Sequence, residues 1–166
     1  MTPDEQNEFL RNHFRHRLTL LRCLRERKRS GHIYKGRGDI YRCVKDSNLF
    51  AVRLWLDFLG LKGEYEMGDY KLLINPRKNG PKYIDDVMID QFIGRLLTPA
   101  DVPTSKQRIL AGVYKRADKE LAHLTTTFNN EFNEEEVLID AATTVEILLQ
   151  QFLYKPFNQE LPEMDN

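Results

Sequence analysis

Leu10, Phe14, Leu18, Leu21 and Leu24 recur at three- and four-residue steps through the first part of the chain. That rhythm matches an α-helical turn of about 3.6 residues and gathers the five side chains into one apolar stripe. A striped helix must bury its apolar face against another element, so the spacing commits the chain to helix packing. The stripe predicts a helix over 4–29, with basic side chains in its last turns to complement the dipole and Gly31 to end it. Asp39 has the chemistry to cap a second helix that runs to Leu59, before Gly60. Its residues Leu49, Phe50, Val52, Leu54, Trp55, Phe58 and Leu59 make it apolar on nearly every side, which places it centrally.

Asp85 is placed to cap a shorter helix through Ile89, Phe92, Ile93 and Leu96, ended by Thr98-Pro99. Pro103-Thr104 opens a long helix expected over 105–128. Asn133 with Glu136 has the form of a capping box for a last helix that stops at Tyr154, before Pro156. Between the second and third helices the rhythm breaks. Tyr70 to Ile74 is strand-like, and Asn75-Pro76 and Asn79-Gly80-Pro81 are turn signals. The expected fold is therefore all-α: an antiparallel bundle of four long helices plus a shorter one, with a small irregular or hairpin-like insertion around 62–83. One domain over 1–157 accounts for the chain, followed by a polar flexible tail over 158–166.

The 25 basic and 25 acidic side chains cancel, which excludes a binder of nucleic acid that works by total charge alone. Their distribution is uneven. From Arg11 to Lys45, twelve Lys or Arg stand against two acids, a net of +10; from Glu120 to Asn166, one Lys stands against ten acids, a net of −9. Such polarity means either a face that attracts phosphates or two segments that attract each other. No apolar run approaches the about 18 residues of a membrane span, and Met1 to Phe9 carries three acids where a signal peptide has a basic flank. Two cysteines make no disulfide framework, and both Cys23 and Cys43 are read as core or near-core thiols. The expectation is a cytoplasmic protein without a cofactor, a metal or a membrane.

Chemistry-bearing residues are few. Arg116 and His123 are seven residues apart on the predicted 105–128 helix, so both project on almost one bearing, at the edge of its stripe of Leu110, Val113, Ala117, Leu121 and Leu124. Glu120 sits between them, and an Arg–Glu–His ladder on a helix surface is the plain alternative to a site. On the first helix, Arg11-Asn12-His13-Phe14-Arg15-His16 concentrates cations; His13 and His16 lack a third metal ligand at a fixed offset. His13 and Arg17 fall within the apolar arc, and either find a partner there or mark its rim. The glycine loop from Gly31 to Gly38 offers Lys35 and Arg37 at a helix N-terminus, an arrangement able to hold a phosphate, but it lacks the Gly-Lys-Ser/Thr ending of a Walker loop.

These residues give the chain a resemblance to the HEPN-type proteins, small helical bundles whose signature is an Arg and a His separated by about four to six residues. Arg116 and His123 fit with six between them, and Asp118-Lys119-Glu120-Leu121-Ala122-His123-Leu124-Thr125 resembles the Asn-Lys-x-x-Ala-His-x-Thr wording of such helices. Arg11 to His16 fits the shorter form, including an Asn after the Arg. The resemblance implies a homodimer whose Arg/His pairs face one cleft, acting as a metal-independent ribonuclease or as a noncatalytic RNA- or nucleotide-binding module. In the catalytic version the RNA 2′-hydroxyl attacks the adjacent phosphorus, His123 transfers protons and Arg116 stabilises charge on the phosphate. Arg11, His16, Lys35 and Arg37 are the implied nucleic-acid contacts. The alternative is a noncatalytic protein-interaction domain whose Arg and His groups pair with neighbouring acids.

Overall fold

The computed structural model describes residues 2–12, 14–31, 38–76, 87–122, 132 and 134–163. Among the described residues six α-helices and one hairpin follow in order: α1 (Pro3–Asn12), α2 (Phe14–Arg29), α3 (Gly38–Leu59), β1 (Leu61–Glu66), β2 (Asp69–Ile74), α4 (Asp90–Ile93), α5 (Thr104–Ala122) and α6 (Glu135–Leu149). The chain is mostly helical with four long helices, and the predicted insertion is a regular antiparallel hairpin. α1 and α2 together cover the first predicted helix, on either side of residue 13. α3 occupies the centre, packed on α2, α5, α6 and β1, as its near-continuous apolar surface requires. α2 packs on the α3–α6 pair from one side and α5 from the other.

The apolar stripe does what its spacing demands: Leu10, Phe14, Leu18, Leu21 and Leu24 are all buried. Phe14 meets the Trp55 and Phe58 rings edge-on at 4.8 and 5.0 Å, geometries that suit the ring quadrupoles. One polar group, Asn48, is fully buried in the α2–α3 seam, where its Nδ2 donates to the Leu21 carbonyl at 2.7 Å. The hairpin pairs Leu61 with Ile74 through to Glu66 with Asp69. Its two-residue turn, Met67-Gly68, has φ of 51° and 87°, the positive pair that matches the twist of the flanking strands. β1 lies so close on α5 that a Cβ at Gly63 would stand 2.1 Å from the Ala111 carbonyl oxygen.

Several expectations need correction. α4 has only four residues, stopped by Gly94 in the left-handed region; Asp85, its expected cap, lies outside the described residues. α6 begins after Glu134, whose side chain makes no capping bond; Asn133, the expected cap, lies outside the described residues. Glu135 and Glu136 complement the helix dipole in the first turn. An unpredicted box closes the turn before α5: Asp101 accepts from the Thr98 amide at 2.8 Å, and Arg95 clamps the same carboxylate with two bonds of 2.8 Å. Past Leu149 the chain widens into a π turn (Gln150–Tyr154) and then tightens into a 3-10 turn (Lys155–Phe157). The continuous helical stretch Glu135–Phe157 is, contrary to the sequence reading, long and apolar enough to cross a membrane by length and composition; over half of its apolar window is buried in the bundle. Cys43 is exposed rather than near the core, while Cys23 is half-buried with its thiol raised in pKa by burial.

Candidate functional site

Arg11 and His16 are exposed, on α1 and α2, and Arg15 and Arg17 are exposed beside them. Arg17 therefore marks the rim of the apolar stripe and carries its charge outward. No ion pair among the described residues engages Arg11, His16 or Arg17. Along the sequence the four make a basic band with no acid between them.

Deeper on α2 the cations are neutralised by α6. Arg22 Nε lies 3.3 Å and Arg25 Nη2 3.2 Å from Glu146 Oε2, Arg25 Nη1 lies 3.1 Å from Oε1, and Lys28 pairs with Glu136. Glu146 and Arg22 are each only 8% exposed, so this pairing occurs where solvent screens it weakly. Burial opposes the charge on Arg25, but Glu146 and Glu26 outweigh it and hold its pKa above the ordinary value. On α3, Tyr41 donates to Glu135 at 2.8 Å while the Arg27 guanidinium stacks 4.4 Å over its ring. The opposite charges of the two chain ends thus meet in part as a helix–helix contact.

Arg116 lies across the α3–α6 pair from α2, on α5, and is 9% exposed. It follows Arg108 and Gly112 at four-residue steps, along the face that Phe132 covers: the Phe132 ring is 5.4 Å from the Arg108 guanidinium, and a Cβ at Gly112 would meet it at 2.4 Å. His123, like His13, Lys35 and Arg37, lies outside the described residues, and nothing is described of the Glu120 side chain. Arg116 and the Arg11–His16 pair are thus carried on different helices and are not brought together within one chain.

A second polar cluster was missed by the sequence reading. Asp57 Oδ1 accepts from Tyr114 at 2.7 Å and from Asn75 Nδ2 at 2.9 Å. Arg53 lies 3.8 Å from Asp57 and 3.2 Å from Asp118, and Lys115 reaches Asp118 and, at 3.1 Å, Glu64 on β1. Burial raises the Asp57 pKa against the pull of Tyr114, Arg53 and Asn75, and burial with the nearby Asp57 charge pushes Tyr114 well above the usual phenol range. The signal available in the sequence was Arg53 and Asp57 at an i, i+4 spacing inside the otherwise apolar stretch 49–59. With each carboxylate matched to a donor, the cluster fastens the hairpin and α5 to α3. Among the described residues no three His, Cys, Asp or Glu side chains are grouped to hold a metal ion.

A groove of about 340 Å³ runs between α6 and the start of α5, lined by Val102, Pro103, Lys106, Ile147 and Leu148. It contains none of the sequence-predicted site residues. Comparison of the chain with protein families, with curated proteins and with solved structures finds no match to any of them.

Proposed function

We propose that the chain is a HEPN-like helical module that binds RNA or a nucleotide through its phosphates, as a cytoplasmic homodimer. The observation that carries this reading is the split in the basic segment. Arg22, Arg25 and Lys28 are matched by acids of α6, whereas Arg11, His16 and Arg17 stand at the surface with no ion pair among the described residues. Guanidinium groups left in that condition recognise phosphate oxygens through paired N–H donors. Lys35 and Arg37, which stand between α2 and α3 in the sequence, would add sequence-independent contacts to the same backbone.

Binding is favoured over cleavage. A ribonuclease of this type needs Arg116 and His123 at the scissile phosphate, and Arg116 is 9% exposed in the single chain. The second reading, a noncatalytic protein-interaction domain, is supported by the α2–α6 pairing, which absorbs part of the charge polarity.

The test is a titration of short fluorescent single-stranded RNA in EDTA, followed by electrophoresis of the same RNA. Binding that weakens steeply with salt, is lost in Arg11→Glu/Arg17→Glu and leaves the RNA intact is the expected result. Cyclic-phosphate ends that vanish in His123→Ala would establish cleavage instead. Absence of binding at low salt would favour the interaction domain.

A further inference from the structure

We infer that the segment after α6, 158–163, is a self-inhibiting strap laid across the basic face of α1 and α2, competing with phosphates for it; the inference rests on the phosphate-binding reading above. The chain reverses at Asn158, whose φ of 54° lies in the left-handed region and whose amide donates to the Lys155 carbonyl at 3.0 Å. Gln150, in the π turn, then clamps the returning chain from both ends of its amide. Its Nε2 donates to the Gln159 carbonyl at 3.2 Å and its Oε1 accepts from the Leu161 amide at 2.9 Å. The Gln159 side chain donates to Asn7 on α1 at 2.8 Å, Arg22 on α2 donates to the Pro162 carbonyl, and Leu161 packs against the core.

These anchors fix which face is covered. Arg11 is one turn from Asn7 on α1, and Arg15 is two turns from Arg22 on α2, so residues on the anchored faces include two arginines of the cationic band. A segment fastened at both Asn7 and Arg22 passes beside them. It carries Glu160 and Glu163, both exposed, which oppose phosphates by charge, while the Arg22–Pro162 bond only fastens the segment to α2. The attachment is a handful of side-chain bonds and one leucine, partly open to solvent, which is the character of a segment that opens locally before the bundle does. Phosphates and strap are therefore mutually exclusive on this face, and bound RNA displaces the strap.

The test compares RNA affinity at low salt for the full chain, a chain ended at Asn158, and Glu160→Gln/Glu163→Gln, which keeps the strap and removes its charge. The shortened chain should bind about tenfold tighter and the neutralised chain in between, and a peptide of residues 158–166 added in trans should weaken the shortened chain again. Melting curves establish that each variant folds; if the shortened chain does not, the neutralised chain carries the comparison. Full and neutralised chains binding RNA with equal affinity would overturn the strap and leave the binding reading intact. No RNA binding by any form, the shortened one included, would overturn both.

Discussion

At the scale of single residues, the fold depends on a few positions where an atom more or less is decisive. Gly63 is one, because β1 approaches α5 so closely that its missing Cβ is the contact. Gly63→Ala should lower stability by about 1–3 kcal/mol through forced separation of the hairpin from α5, read as a fall in the denaturation midpoint at unchanged m-value. Asp101 is another. The bidentate bonds from Arg95 hold its carboxyl well below the ordinary 3.8, at about 2, against the opposing effect of burial and with help from Thr98. A depressed carboxyl pKa contributes stability above pH 3.8 that is lost as the pH falls toward about 2. Because Arg95 is half exposed, the contribution is screened to about 1 kcal/mol. Asp101→Asn should lose that amount at neutral pH and flatten the acid limb of the stability profile in that window.

At the scale of elements, the charged seam between α2 and α6 separates two kinds of ion pair. Glu146→Ala leaves Arg22 and Arg25 facing each other where water is scarce, and should cost about 2–4 kcal/mol. Glu136→Ala, which removes the exposed partner of Lys28, should cost less than about 1 kcal/mol, so urea unfolding of the two variants distinguishes them. The four long helices were legible in the sequence because burial imposes a period on Leu10 to Leu24 and saturates α3 with apolar groups. The hairpin was half legible: turn signals and a strand-like run marked it, but its partner strand Leu61–Glu66 carries glycine and three charges and has no strand character of its own. α4 in its short extent, though not in its place, and the strap were not legible. The first is ended by the local geometry of Gly94, and the second is held by Asn7, Arg22 and Gln150, contacts that no local pattern encodes.

At the scale of the whole molecule, two halves of one basic segment have different fates. Arg22, Arg25 and Lys28 are matched to α6 and belong to the architecture; Arg11, His16 and Arg17 remain at the surface with no ion pair among the described residues. The sequence revealed the polarity and nominated Arg11 and His16, but one-dimensional charge counting could not say which cations the bundle would neutralise. That distinction is the central claim, and Arg11→Gln/Arg17→Gln tests it most directly. Neither side chain is in an ion pair among the described residues, so the variant should melt with the native protein. The decisive measurement is its affinity for single-stranded RNA across a salt series, beside the native chain. The account predicts a loss of at least about tenfold at low salt, with a shallower dependence on salt, at an unchanged melting temperature. Equal affinity and equal salt dependence for the two proteins would contradict it.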